Sequence, residues 1–304
     1  MGSQWVGMGR SLMALDIFRN SMEECRKALE PFGVNLLDLI MNGSEDSLKS
    51  IVAPFICIAA VQVALTDLLF SMGIKPDGIV GHSLGEGSCA YADGCHTRRE
   101  TMLSAYFRGQ SVVDSNVGPG KMAAVGLTWE EAREQCPAGV IPACHNAVDS
   151  VTISGSAKEM TKFIEALSAR GVFVKEVNSN NVSYHSHFME PVSARLKAAL
   201  DKHLTSNKPR SKKWVSTSLP EHMWDSPIAH YAKGDYQANN LRSPVLFYEG
   251  LQKVPKNALL LEVAPIGLLQ PVMKRTVGPD CISVGLQKRN HDKNLELFFT
   301  ALGK

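Results

Sequence analysis

Residues 77–92 read DGIVGHSLGEGSCAYA: a short apolar run, the pattern Gly81-x-Ser83-x-Gly85, and a run of small residues. The order predicts a strand, a tight turn and a helix with Ser83 at the apex, the arrangement called a nucleophile elbow. The glycines let strand and helix approach where a side chain would clash. The amide of Leu84, at the predicted helix start, points to the space that the hydroxyl faces. Ser83 is therefore the candidate nucleophile and Leu84 a candidate oxyanion donor.

Composition excludes several classes of protein. The composition of the 304 residues is that of an ordinary soluble globular protein, and the formal net charge of +2 does not indicate nucleic-acid binding. Seven scattered cysteines, without a Cys-x-x-Cys pair or zinc spacing, indicate free thiols, no metal site and a cytoplasmic location. The apolar segment 52–69 is interrupted by Gln62, Thr66 and Asp67, which favours a buried core helix over a membrane span.

The order of predicted elements gives the domain plan. After a break at 118–120, residues 121–177 predict strand-helix-strand-strand-helix-strand, the ferredoxin-like plan. The flanking segments alternate strands with helices, which implies a mainly parallel sheet with its ligand site at the carboxyl ends of the strands.

A nucleophilic serine needs a base, and two histidines lie where the chain leaves the small lobe. His185 is favoured, with His187 as the alternative. Elbow hydrolases place an acid between serine and histidine in chain order, but Asp93, Asp114 and Asp149 all fall in turns or surface segments. The acceptor that orients the histidine is either a main-chain carbonyl or a residue that the pattern does not reveal.

Arg108 lies among apolar residues of a predicted helix over 98–113. From the sequence alone, we expect its guanidinium to reach water or to pair with a carboxylate rather than to bind a ligand.

Several further motifs are spread over the chain. They are GSQ at 2–4, GHSLGE at 81–86, YADG at 91–94, YFRGQ at 106–110, MAAVG at 122–126, Asn146, TISG at 152–155, His185-Ser186 and NNLRSPVLF at 239–247. With these motifs the chain resembles the malonyl/acetyl transferase domain of animal fatty acid synthase and the acyltransferase domains of related polyketide synthases. The resemblance implies an α/β fold: a hydrolase-like parallel-sheet subdomain over 1–120 and 189–304, with a ferredoxin-like subdomain over 121–188 inserted.

The resemblance also implies roles for individual residues. Ser83 would be acylated, with His185 as its base and the amides of Gln4 and Leu84 as the oxyanion hole. Arg108 would pair with the free carboxylate of a malonyl group, which reverses the expectation from the sequence alone. Asn146, Val182 and Tyr184 are the remaining candidate substrate-binding residues.

The implied reaction uses no bound cofactor. An acyl-coenzyme A thioester would acylate the serine, and the phosphopantetheine thiol of an acyl carrier protein would then take the acyl group. The expected partners are this carrier protein, malonyl-, methylmalonyl- or acetyl-coenzyme A, and neighbouring domains of a multidomain synthase, with neither nucleic acid nor membrane. The rivals are a serine hydrolase or thioesterase and a non-catalytic scaffold domain.

The chain departs from the family pattern in three places. It begins inside the motif at 2–4, which predicts a sequence cut from a longer polypeptide or lacking its first strand, and leaves the position of Gln4 open. The loop 264–269 lacks the His-Ala that usually follows its proline. The residues before His185 are Val182-Ser183-Tyr184. Tyr184 favours malonyl selection, whereas Val182 matches neither the malonyl-selective nor the methylmalonyl-selective members of the family. A methylmalonyl-selective enzyme is therefore the alternative.

Overall fold

The computed structural model describes residues 2–291 and 293–303. The helices are α1 (Asp16–Leu29), α2 (Leu36–Met41), α3 (Val52–Ser71), α4 (Gly85–Ala92), α5 (Arg98–Ser115), α6 (Trp129–Gln135), α7 (Ala157–Ala169), α8 (Glu190–His203), α9 (Pro227–His230), α10 (Gly234–Arg242), α11 (Phe247–Leu251), α12 (Gln270–Val277) and α13 (Asn294–Leu302). The strands are β1 (Ile79–Val80), β2 (Gly120–Val125), β3 (Val140–Ala147), β4 (Ser150–Ser156), β5 (Val174–Val177), β6 (Trp214–Val215), β7 (Val245–Leu246), β8 (Leu259–Glu262) and β9 (Ile282–Gly285). The prediction of an α/β fold is confirmed.

The small lobe has the predicted order of elements. Strands β5, β2, β4 and β3 lie side by side in that order as an antiparallel sheet, which is the ferredoxin-like arrangement. Helices α6 and α7 pack with these strands around an apolar core separate from that of the rest of the chain. The sheet then continues into the large lobe, because β7 pairs in parallel with β3. The boundaries 121–188 stay a prediction.

The large lobe differs from the single parallel sheet that we expected. In the described part of the chain, β1 pairs in parallel with β6 and β8 with β9, as two separate two-stranded sheets. Side-chain hydrogen bonds limit the β1–β6 pair to two residues on each strand. The N–H of Thr217 donates to Glu86 at 2.9 Å, and the hydroxyl of Thr217 donates to the carbonyl of Gly81 at 2.7 Å. Backbone groups that would extend the ladder are thus already bonded.

Helix α3 forms the centre of the large lobe. By length and composition it could cross a membrane, but 83% of its most apolar window is buried inside the protein. It packs between α1 and α5 and is apolar on all sides, as expected of a helix surrounded by protein. The prediction of a buried core helix is confirmed.

Several helical segments differ from the sequence-based expectation. Apolar residues at three- and four-residue steps predict a helix over 12–32, but α1 begins at Asp16, because Leu15 is extended and residues 10–14 form a 3-10 turn instead. Helices α10 and α12 were not predicted. The first contains a glycine and two asparagines, residues of low helix propensity, so its pattern indicates no helix.

Candidate active site

The elbow has the geometry that its sequence predicts. Strand β1 ends just before Gly81, and Ser83 has a backbone φ of 54°, in the left-handed region that non-glycine residues rarely adopt. A Cβ on Gly81 would lie 2.7 Å from both the sulfur of Cys89 and the amide nitrogen of Glu86. A side chain at 81 would therefore push α4 away from the strand and move the serine.

The structure brings His185 to this serine. Its Nε2 lies 2.6 Å from the Oγ of Ser83. The histidine is buried and has a positive φ of 57°, and its main-chain N–H donates to the carbonyl of Leu241 at 3.0 Å. His187, the alternative, is exposed at the start of a short 3-10 turn. Of the two histidines, only His185 contacts the nucleophile.

A main-chain carbonyl orients this histidine. The Nδ1 of His185 lies 2.9 Å from the carbonyl oxygen of Ser243, which fixes the proton on Nδ1 and leaves Nε2 free to accept the serine proton. The three aspartates considered for this position have other partners: Asp93 binds Ser211, Asp114 binds Gln110, and Asp149 binds Arg275. In the described part of the chain, the imidazole of His185 hydrogen-bonds to Ser83 and to the Ser243 carbonyl and to no carboxylate.

Burial keeps the base neutral. Loss of water around the imidazole, together with the nearby charge of Arg108, lowers the pKa of His185 to about 3. Its bond to the Ser243 carbonyl opposes this shift only in part. At neutral pH the imidazole is therefore available as a proton acceptor.

Arg108 is buried without a carboxylate. Only 4% of the residue is exposed, and its Nη1 donates to the Oδ1 of Asn240 at 2.7 Å. Within residues 2–291 and 293–303 it makes no ion pair, and its Nε has no hydrogen-bond partner. Burial lowers its pKa to about 10, so the guanidinium is still charged at neutral pH. The expectation that Arg108 reaches water or pairs with a carboxylate of the protein is wrong.

Tyr184 and Val182 are both buried in the core next to this site. The ring of Tyr184 packs edge-on against Phe55, with centroids 5.9 Å apart. Burial raises the pKa of its hydroxyl, and the charge of Arg108 opposes that rise. Among the described atoms, the Tyr184 hydroxyl has no hydrogen-bond partner.

Asn146 contacts the elbow rather than an open pocket. Its Oδ1 lies 2.8 Å from the Nε2 of His82, and its Nδ2 donates to Thr152 at 3.1 Å. His82 also packs edge-on against Phe247 at 5.1 Å between centroids. The amide thus holds the residue that precedes the nucleophile.

The two candidate oxyanion donors differ in their surroundings. Leu84 caps α4, so its N–H belongs to the helix start, where donors have no intrahelical partner. The carbonyl of Gln4 accepts from Arg289 at 2.9 Å, and its side chain accepts the N–H of Gly2 at 2.8 Å. The neighbouring Trp5 donates to the carbonyl of Pro265 at 2.8 Å, which ties this segment to the loop 264–269.

Sequence reasoning gave no role to two buried polar residues. Glu86 is fully buried and accepts hydrogen bonds from four groups: the Trp214 indole, the Thr217 amide and the hydroxyls of Ser218 and Tyr236. Asn240 contacts Arg108, Ser218 and the carbonyl of Ser83. Both lie inside quoted motifs, but their contacts depend on α10 and on the segment after β6, which only the fold brings together.

Comparison with known proteins identifies the family. A family model described as the acyl transferase domain matches residues 1–304. The chain belongs to this family. The acyl transferase domain is 32% identical to squalestatin tetraketide synthase of Phoma sp. over 88% of this chain and 11% of that protein. It is 34% identical to a reducing polyketide synthase of Fusarium langsethiae over 92% of this chain and 12% of that protein. The chain thus spans about a tenth of these relatives.

Solved structures share the fold of the acyl transferase domain. The acyltransferase domain of the polyketide synthase PpsC of Mycobacterium tuberculosis superposes with a TM-score of 0.84 at 25% identity, covering 95% of this chain and 89% of that one. The malonyl CoA-acyl carrier protein transacylase of Coxiella burnetii gives a TM-score of 0.83 at 22% identity, with 100% and 94% coverage. These comparisons show an acyl transferase domain of polyketide synthase type. They do not single out the animal fatty acid synthases.

Proposed function

We propose that this domain moves a malonyl group from coenzyme A to the phosphopantetheine thiol of an acyl carrier protein through an acyl-Ser83 intermediate. The observation that carries the proposal is Arg108, a buried cation beside the nucleophile that lacks a carboxylate among the described residues. The Coxiella burnetii protein that shares this fold is a malonyl CoA-acyl carrier protein transacylase, which catalyses the same reaction.

The charge of Arg108 selects the substrate class. A buried guanidinium is costly unless it is paired, and its planar fork matches a carboxylate. The free carboxylate of malonyl would supply that partner, whereas acetyl would leave the cation unpaired. The Tyr184 hydroxyl, buried without a hydrogen-bond partner among the described atoms, would be a second donor for the same carboxylate.

The chemistry has two half-reactions. His185 takes the proton of Ser83, the Oγ attacks the thioester carbonyl, and the amides of Leu84 and Gln4 receive the oxyanion. His185 then protonates the departing coenzyme A sulfur. In the second half, His185 takes the proton of the carrier thiol, that thiol attacks the acyl-serine, and Ser83 recovers its proton.

Transfer rather than hydrolysis requires water to be excluded from the acyl-serine. The base and the anchor are both buried, which favours acyl transfer over the alternative of a serine hydrolase or thioesterase. Tyr184, buried one residue before His185, favours malonyl, whereas Val182 favours neither substrate. Methylmalonyl is the alternative, since one methyl group is worth only about 1–3 kcal/mol of discrimination.

The wider setting is also part of the proposal. The curated relatives support a domain of a multidomain polyketide synthase, and the motif resemblance supports an animal-type fatty acid synthase or a related polyketide synthase. In either setting the partners are the carrier protein and neighbouring domains, and the location is the cytoplasm. Asn146 contributes by holding His82 and thereby the elbow.

Replacing the anchor tests the proposal. For Arg108→Ala we expect kcat/KM for malonyl-coenzyme A to fall about 100-fold, while that for acetyl-coenzyme A changes less than about tenfold, because only malonyl has a carboxylate to lose. Competition between the two thioesters for acylation of Ser83 measures the ratio. Arg98→Ala is the matched control, because Arg98 lies on the same helix but pairs with Asp67 at 2.7 Å. Equal losses for both substrates would overturn the assignment of Arg108.

A further inference from the structure

Asn240 lies between the anchor and the nucleophile. It is buried on α10, with 2% of the residue exposed. Its Oδ1 accepts from Arg108 at 2.7 Å, and its Nδ2 donates to the carbonyl of Ser83 at 3.2 Å and to the hydroxyl of Ser218 at 2.7 Å. One amide group therefore contacts both halves of the proposed site.

The chemistry of these partners fixes the orientation of the amide. A guanidinium can only donate, so the oxygen of Asn240 must face Arg108. A main-chain carbonyl can only accept, so the NH₂ group must face Ser83. A flipped amide would place the NH₂ group against the guanidinium and the oxygen against the carbonyl, and would satisfy neither contact.

The same end of α10 also holds the base. The carbonyl of Leu241 accepts the N–H of His185, and the carbonyl of Ser243 accepts its Nδ1 proton. Residues 240–243 thus position nucleophile, base and anchor together. A shift of this segment would move all three groups at once.

The side-chain amide of Asn240 is an uncharged hydrogen-bond partner for Arg108. The nearest carboxylate along the hydrogen-bond chain is Glu86, which is reached through Ser218 and is already held by four donors. The guanidinium is therefore held in place without being neutralised. An aspartate at 240 would instead place a permanent carboxylate against it.

We propose that Asn240 is a positioning residue that sets the preference for carboxylate-bearing acyl groups, because it fixes the Arg108 guanidinium beside Ser83 and leaves its charge free for the substrate. This inference rests on the proposed malonyl transfer. It assigns to residue 240 a selectivity that an apolar or acidic side chain would not support.

Asn240→Asp separates this role from a structural one. The new carboxylate competes with that of malonyl, so we expect the ratio of malonyl to acetyl acylation of Ser83 to fall at least about tenfold. A neutral fluorophosphonate that reacts with activated serines reports the Ser83–His185 pair independently. Its labelling rate should fall much less than malonyl acylation does.

Two further variants keep the test decisive. Asn239→Asp places the same charge one residue away, where the side chain contacts Ser218 and Ser243 rather than Arg108, and should leave the acyl ratio unchanged. Asn240→Ala removes the acceptor without adding charge and should lower malonyl acylation more than acetyl acylation. It replaces the aspartate variant if that variant does not fold.

The outcomes distinguish the two claims. If the wild-type domain acylates Ser83 with malonyl in an Arg108-dependent way, and Asn240→Asp or Asn240→Ala lowers malonyl, acetyl and fluorophosphonate reactions equally, Asn240 is structural and this inference fails. If the wild-type domain shows no Arg108-dependent preference for malonyl, the proposed function itself fails.

Discussion

At the scale of single residues, the site depends on two unusual backbone conformations. Ser83 and His185 have φ values of 54° and 57°, where non-glycine residues cost about 1–3 kcal/mol each. Both are held from α10, since Asn240 donates to the carbonyl of Ser83 and the carbonyl of Leu241 accepts from His185. The strain turns the hydroxyl and the imidazole toward each other at 2.6 Å.

His82 and His185 should make the protein sensitive to acid. Burial lowers the pKa of His82 to about 4 and that of His185 to about 3, below the value of about 6.5 in the unfolded chain. Since the unfolded state binds these protons first, the free energy of unfolding is highest above pH 6.5. It should fall by up to about 1.4 kcal/mol per pH unit for each histidine as the pH drops further.

Urea unfolding at pH 7 and pH 5 measures this effect. His82→Gln removes one titrating group, and the pH slope of that variant should be smaller by up to about 1.4 kcal/mol per unit. Equal unfolding free energies for the wild-type protein at the two pH values would contradict the lowered pKa of both histidines.

At this scale the sequence points to individual residues where the signal is local. Ser83 follows from five consecutive residues, and His185 from its place at the return to the large lobe. The carbonyl of Ser243 could not be predicted, because a main-chain acceptor has no residue type. Asn240 was quoted in a motif, yet its contacts required a helix that its own residues do not favour.

At the scale of secondary-structure elements, the periodic helices were predictable and the short elements were not. Helix α7 places Met160, Phe163 and Leu167 on one buried face, and the capping box that Thr128 and Glu131 predict is present at the start of α6. Strand β7 has two residues and is set by pairing with β3. Such tertiary pairing leaves no local pattern in the sequence.

The elbow depends on contact between β1 and α4. For Gly81→Ala we expect a loss of roughly 3 kcal/mol in unfolding free energy, because the new Cβ would meet the backbone of Glu86 at 2.7 Å. Gly85→Ala is the matched control, with no atom within 4 Å of its Cβ and a position in the first turn of α4. Chemical denaturation compares the two variants. Similar stabilities would contradict the close approach of strand and helix.

At the scale of the whole molecule, a shared strand pair and a side-chain hydrogen bond join the two lobes. Strand β7 extends the small-lobe sheet, and His145 on β3 bonds to Glu249 on α11 at 2.8 Å. The ring of His145 stacks on Trp129 at 5.1 Å between centroids, and Asn146 next to it holds His82. The sequence predicted the inserted lobe but not this joint, because contacts between distant segments depend on the completed fold.

Acyl transfer by Ser83 can be followed by the intact mass of the domain after incubation with malonyl-coenzyme A, before and after addition of a phosphopantetheinylated acyl carrier protein. We expect a single malonyl adduct on Ser83 that is absent in Ser83→Ala. The carrier protein should discharge it faster than water does. An unmodified Ser83, or an adduct that is lost to water as fast as to the carrier protein, would contradict acyl transfer by this site.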